Sequence, residues 1–115
     1  MKVRTALSLT AVVLAVSACA NVKDVRDRDP VFYGSTPRTA EEYTNCVAAA
    51  WKDQGVRFER KAVRNGFELI QSDSLGVEAV LTTTTWKGKT EARLSTRIAR
   101  RDQSLIEPAN LCLQQ

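Results

Sequence analysis

The sequence predicts an α+β domain in which an N-terminal helix packs on a four-stranded antiparallel meander sheet. Apolar residues between Tyr43 and Trp51 recur at helical spacing, which indicates one amphipathic helix. After Gly55 the period changes to two, and turn signals separate the apolar runs that follow. A chain of 115 residues leaves room for one domain, and its 43% hydrophobic content argues against wholesale disorder.

The N-terminus has the pattern of a secretory signal rather than of a folded element. Lys2 and Arg4 precede a mainly apolar stretch over residues 6–18. This stretch is too short to cross a bilayer, which takes roughly 20 helical residues. It has the length of the apolar region of a signal peptide. We therefore predict that residues 1–18 are a signal peptide that is cleaved off.

The end of that stretch, Val16, Ser17, Ala18 and Cys19, resembles the lipobox of bacterial lipoproteins. The resemblance covers residues 1–20 only, and it implies that Cys19 carries a thioether-linked diacylglycerol and an acyl chain, such as palmitate, on its amine. Several acyl chains anchor a protein stably to a membrane, whereas a single one holds it only marginally. We therefore expect the protein to be anchored to a membrane without spanning it. The alternative is an ordinary signal peptide, cut at an A-x-A-type site, with an incidental cysteine.

The residue after Cys19 bears on which membrane is involved. It is Ala20, whereas an aspartate there often retains lipoproteins of Gram-negative bacteria in the inner membrane. The resemblance therefore implies the outer membrane, with the protein facing the periplasm, if the source is Gram-negative. Nucleic acid is not an expected partner in that compartment. Loss of Lys2 and Arg4 lowers the formal net charge of +4 by two, so the mature protein is only weakly basic.

Residues 19–37 are predicted to be a lipidated flexible tether. Mixed charges fill residues 23–29, and large apolar groups are few. A flexible coil over residues 21–37 averages roughly 20–25 Å between its ends. The run from Val31 to Tyr33 is the one apolar segment, and we expect it to pack on the domain. Docking of this run to a partner is the other interpretation.

The domain proper is predicted over residues 38–115 and begins with a helix over residues 40–53. Thr39 and Glu42 have the spacing of a capping box, in which their side chains satisfy amides of the first turn. Gly55 follows as a helix stop. The apolar face holds Tyr43, Val47, Ala50 and Trp51, with Cys46 beside them.

Four strands are predicted after this helix. One face of their sheet is expected to be covered by the helix and the other to be exposed to solvent. The first ends near Val63, and the Asn65-Gly66 pair predicts a type I′ turn with positive φ at both positions. The second runs from Phe67 to Gln71. A β-branched run, Val77 to Trp86, forms the third.

The fourth strand follows the turn at residues 87–89 and alternates again. Its inward side chains are predicted to be Ala92, Leu94, Thr96 and Ile98, and its outward ones Glu91, Arg93, Ser95 and Arg97. We also expect Trp51 to be buried and Trp86, at the end of a strand, to be at least partly exposed.

The cysteine count predicts a disulfide. With Cys19 acylated, Cys46 and Cys112 remain, an even number in an oxidising compartment. We predict that they tie the short C-terminal segment to the first helix. Two buried free thiols are the alternative. A bridge that closes so long a loop is worth roughly 4 kcal/mol at most.

Catalysis, a cofactor and a metal are not expected. The sequence has no histidine, which removes the commonest general base and zinc ligand. The G-x-S-x-G, C-x-x-C and calcium-loop patterns are also missing from the sequence. Glu68 and Glu78 could meet across strands as an acid/base pair, but acidic residues on a sheet surface are usually solvated.

Basic residues are the remaining functional signal. Arg57, Lys61, Arg93 and Arg97 are candidates for a face that meets an anionic envelope component, such as lipid phosphates, or an acidic envelope protein. Glutamates share the region, so a solvated mixed-charge face is the alternative. The predicted function is that of a small membrane-anchored envelope lipoprotein, a non-catalytic binding or accessory module in the periplasm. The alternative is an inhibitor or immunity-type protein that blocks an envelope-targeting enzyme.

Overall fold

The computed structural model describes residues 21–98 and 102–114; the residues predicted to form the signal peptide and the lipobox, Cys19 included, lie outside them. The five strands of the described part form one sheet in the order β1-β5-β4-β3-β2, and every neighbouring pair is antiparallel. The elements in chain order are α1 (Val22–Arg26), β1 (Phe32–Thr36), α2 (Ala40–Asp53), β2 (Glu59–Val63), β3 (Gly66–Asp73), β4 (Gly76–Trp86), β5 (Lys89–Thr96) and α3 (Gln103–Leu111).

The fold class is α+β, but the predicted count of four strands is wrong, because β1 adds a fifth. β1 comes from the segment predicted to be a flexible tether. It pairs with β5, with Phe32 opposite Leu94 and Thr36 opposite Thr90. The Thr36 hydroxyl also donates to the Leu113 carbonyl (2.8 Å), which fastens the C-terminal segment to this edge strand. Residues 22–26 and 32–36 therefore belong to a helix and a strand, and the prediction that they are part of a flexible tether is wrong.

The helix predicted over residues 40–53 is present as α2, with the predicted capping box. The Thr39 hydroxyl accepts from the Glu42 amide (3.1 Å), and the Glu42 carboxylate accepts from the Thr39 amide (3.4 Å). Its side chains Tyr43, Val47 and Trp51 are fully buried. However, α2 is not the N-terminal helix of the domain, because α1 precedes it.

α2 and α3 cover one face of the sheet and form the main core with it. The Tyr43 hydroxyl donates to the Ala109 carbonyl (2.6 Å), and the Trp51 indole donates to the Leu105 carbonyl (3.3 Å). Both large aromatic side chains of α2 therefore have their polar ends satisfied by α3. The buried residues of this core are Tyr43, Val47, Trp51, Leu69, Ala79, Leu81, Ala92, Leu94, Leu105 and Cys112.

The opposite sheet face, predicted to be exposed to solvent, is partly covered by α1. Val25 is fully buried in a second cluster with Ile70, Val77 and Val80. Ser95, predicted to point to solvent, is 1% exposed, and its hydroxyl donates to the carbonyl of Arg28 (3.1 Å) just after α1. The prediction that this face is fully exposed to solvent is therefore wrong for the part that α1 covers.

Ile98 was expected to point inward, and this is wrong as well, since its side chain is 59% exposed. β5 ends at Thr96, so the alternation of inward and outward side chains ends there too. The Thr96 hydroxyl donates to the Ile98 carbonyl (2.6 Å) in the bend that follows.

The β2–β3 hairpin turns one residue earlier than predicted. Val63 pairs with Gly66, so Arg64 and Asn65 are the central residues, and only Asn65 has positive φ (62°). The predicted type I′ turn is therefore wrong. Gly66 is required for another reason, since a Cβ there would overlap the carbonyl of Thr83 on β4.

The predicted disulfide joins Cys46 of α2 to Cys112, the C-cap of α3, with the two Cα atoms 5.9 Å apart. The two cysteines are 66 positions apart in the sequence, and their bond holds α3 beside α2. The C-terminal segment is thus tied to the helix predicted to receive it.

Candidate functional site

A large concave surface of the described residues is a groove between α2 and α3, along the disulfide. Its volume is about 1080 Å³. Leu111, which is 51% exposed, lies on its α3 side. Apolar lining is contributed by Cys46, Ala49, Ala50, Pro108, Leu111 and Cys112. An open apolar groove of this size can accept a ligand or a peptide segment.

The groove arises from matching stripes on its two helices. Residues 46, 49, 50 and 53 of α2 are spaced i, i+3, i+4 and i+7, which places them along one side of the helix. Residues 104, 107, 108 and 111 of α3 repeat this spacing. Small side chains at Ala49, Ala50 and Ser104 leave the space between the helices open. The disulfide fixes their separation.

The charges around the groove are mainly negative. Glu42, Asp53 and Glu107 line it, whereas Arg38 is its one lining cation among the described residues. The Arg38 guanidinium donates to the Cys112 carbonyl (2.9 Å), and Glu42 is held in the helix cap. Asp53 and Glu107 are exposed and form no ion pair within the described part of the chain. These two carboxylates can therefore receive a cation.

The structure does not bring the four predicted basic residues together. Arg97 forms a two-bond ion pair with Asp73 (2.8 and 3.1 Å), and this hydrogen bonding raises the pKa of Arg97. Arg57 lies in the loop before β2, and its side chain is exposed. Lys61 and Arg93 share one sheet face, but they lie on β2 and β5, three strand spacings or about 14 Å apart.

The Lys61–Arg93 row also holds a carboxylate between its two cations. Lys61 is opposite Glu68, Glu68 is opposite Thr82, and Thr82 is opposite Arg93. Arg93 itself donates to the Arg28 carbonyl (3.4 Å). These residues do not form a continuous anion-binding patch.

Glu68 does not pair with Glu78 as the acid/base interpretation required. It is 1% exposed, receives hydrogen bonds from the guanidinium of Arg26 (2.7 Å and 3.3 Å), and accepts one from the Thr82 hydroxyl (3.1 Å). A buried carboxylate with a cation and a hydroxyl donor is satisfied, and here it attaches α1 to the sheet.

Within residues 21–98 and 102–114, no group of three or more His, Cys, Asp or Glu residues is placed to hold a metal ion. Nor does this part of the chain contain a helix with the length and apolar character to cross a bilayer. The fold and groove define an α+β domain with a disulfide-braced interhelical groove. No protein-family model, characterised protein or solved structure matches the chain.

Sequence reasoning placed Cys46 and Cys112 correctly but missed the groove that they support. The signal was present: the i, i+3, i+4, i+7 stripe of small residues from Cys46 to Asp53 lies beside the core stripe. A second stripe on α2 indicates a second surface that packs on, or receives, another element.

Proposed function

We propose that this protein is a lipid-anchored envelope module that binds a partner without catalysis, through the groove between α2 and α3. The single observation that carries the binding role is the groove itself, which combines an open apolar floor with two exposed carboxylates, Asp53 and Glu107. The lipobox-like segment supports an anchor on Cys19. The disulfide supports an oxidising compartment, and the proposal places the protein on the outer membrane, facing the periplasm.

The chemistry of the groove favours a cationic amphipathic segment as its occupant. Apolar side chains of such a segment would cover Leu111 and Ala49, while lysines or arginines would reach Asp53 and Glu107. Amphipathic helices commonly bind in this way, with their apolar face in a groove. Opposite charges around the rim speed the encounter and select against acidic partners.

A pair of designed peptides tests this chemistry. One carries leucine and lysine in an amphipathic helical pattern, and the other carries glutamate at every lysine position. The mature lipidated protein in nanodiscs is titrated with each, and amide chemical shifts are followed by NMR. We expect the leucine–lysine peptide to bind, with shifts concentrated on α2 and α3, and the leucine–glutamate peptide not to bind.

A matched pair of charge reversals identifies the surface. Glu107→Lys, in the groove, should weaken binding of the leucine–lysine peptide by about tenfold, which corresponds to the loss of one partly desolvated charge pair. Glu41→Lys makes the same change in net charge at an exposed position of α2 that does not line the groove. Equal weakening by both variants would show that binding follows net charge and not the groove.

The anchor is tested separately with Cys19→Ser. This variant should lose its fatty acid and accumulate as precursor or as soluble protein. Detection of mature mass with fatty acid still attached to the Ser variant would contradict the lipoprotein interpretation.

A further inference from the structure

The first helix of the described residues lies close in sequence to the cysteine proposed to carry the lipid. α1 starts at Val22, three positions after Cys19. Asn21 is already the N-cap of this helix, and its side chain accepts from the Asp24 amide (2.9 Å). Three residue steps span at most about 11 Å. The domain is therefore held much closer to the anchor than the predicted tether of residues 19–37 would hold it.

α1 is fastened to the sheet, so it does not act as a hinged extension of the linker. Val25 is fully buried against β3 and β4, and Arg26 pairs with the buried carboxylate of Glu68. The carbonyl of Arg28 accepts from Ser95 on β5 (3.1 Å). Releasing α1 would expose an apolar cluster and leave Glu68 without its cation.

α1 and the groove lie on opposite faces of the sheet. Val25 packs with Ile70 and Val80, whereas their chain neighbours Leu69 and Leu81 face α2 and α3. Successive side chains of a strand point to opposite faces. The attachment point of the chain is therefore on the face away from the helices that form the groove.

We infer that α1 and the sheet surface beside it face a lipid headgroup layer, and that the groove opens away from the membrane. This orientation rests on the proposed lipid on Cys19. Residues 23–29 carry three basic and three acidic side chains, with Lys23 and Asp27 paired (2.9 Å). This balance neither repels nor strongly attracts headgroups, so the short anchor holds the surface in place.

Tyr33 fits the same surface. It is 59% exposed and lies on β1 opposite Arg93, on the sheet face that α1 covers. An exposed tyrosine combines an apolar ring with a polar hydroxyl, the combination that favours the headgroup region.

Depth-dependent fluorescence quenching tests the orientation. The full lipidated protein is reconstituted in phosphatidylethanolamine–phosphatidylglycerol vesicles that contain a headgroup-nitroxide lipid. Asp24→Trp and Asp53→Trp are compared in a Trp86→Phe background, in which the buried Trp51 is a shared constant. Both positions are exposed: Asp24 is on α1, and Asp53 is on α2 at the opposite face of the sheet. We expect the Asp24→Trp signal to be quenched several-fold more strongly.

A lengthened linker is the matched control. Fifteen glycine and serine residues inserted between Ala20 and Asn21 add about 20 Å of mean reach. Quenching of the Asp24→Trp signal should then fall toward that of Asp53→Trp. High salt should leave the difference in quenching between the two variants with the original linker unchanged, because the anchor, and not charge, holds the α1 surface against the headgroups.

The outcomes separate the orientation from the anchor. Acylated, vesicle-bound protein with equal quenching at both positions would overturn the orientation and leave the anchor intact. A mature protein whose Cys19 carries no acyl group would overturn both. Stronger quenching at Asp53 would place the groove, and not α1, against the lipid.

Discussion

Arg26 of α1 forms an ion pair with Glu68 of β3, with Nε 2.7 Å from Oε2, across 42 residues of sequence. Glu68 is 1% exposed, whereas the Arg26 side chain is 41% exposed. The pair therefore satisfies a buried carboxylate with a cation that reaches in from the surface. It fastens a short helix that the sequence pattern did not predict.

We expect Arg26→Ala to destabilise the domain by about 1–3 kcal/mol, because Glu68 would remain buried without its charged donor. Urea unfolding measures the change. Lys23→Ala is the control, since the Lys23–Asp27 pair is largely exposed and such pairs contribute little. Combining Arg26→Ala with Glu68→Gln should recover part of the lost free energy of unfolding. Equal destabilisation by Arg26→Ala and Lys23→Ala would contradict this account.

Cys46→Ala is expected to destabilise the domain by about 2–4 kcal/mol, because the cross-link limits the unfolded chain. Hydrogen exchange should increase more in α3 than in the β4–β5 hairpin, since the bridge holds α3 on α2. Unfolding with and without reductant measures the change in free energy. Two reactive thiols in the unfolded, unreduced Cys19→Ser protein would show that no bridge exists.

Tyr43 should make stability depend on alkaline pH. Burial raises the pKa of its hydroxyl well above the usual value of 10.0. The unfolded state then loses this proton first as pH rises above about 10, so the stabilisation is complete below that pH and declines above it. Tyr43→Phe should flatten this part of the pH profile. It should also cost about 1 kcal/mol at neutral pH through loss of the bond to the Ala109 carbonyl.

Arg97→Ala should raise the pKa of Asp73. The Arg97 guanidinium, followed by the Leu75 amide, lowers the pKa of this carboxyl below its usual value of 3.8. The corresponding stabilisation is present above about pH 4 and is lost as pH falls through the folded-state pKa. Carboxyl NMR titration of both proteins measures the shift. An unchanged Asp73 titration would mean that the ion pair does not form in solution.

Features that depend on neighbouring residues were predictable from the sequence. The capping box of Thr39 and Glu42 and the apolar spacing of α2 are local patterns, and the structure confirms both. The burial of Trp51 (0% exposed) and the exposure of Trp86 (67%) are confirmed for the same reason. The disulfide was predictable because two cysteines remained once Cys19 was assigned to the anchor.

Features that depend on distant partners were decided only by the tertiary structure. β1 is a five-residue strand with Gly34 at its centre, and its backbone is satisfied by β5, far along the chain. α1 has five residues, too few to form a stable helix alone, so it exists because Val25 and Arg26 find partners on the sheet.

The sequence by itself therefore determined the main helix, the order of the four strands after it and the cysteine pairing. The tertiary structure decided the fifth strand, the covered second face, the role of Gly66 and the groove. The physical reason is the range of the interactions: caps and periodicity act within a few residues. Close approaches such as that of Gly66 to Thr83 depend on strands brought together only in the folded chain.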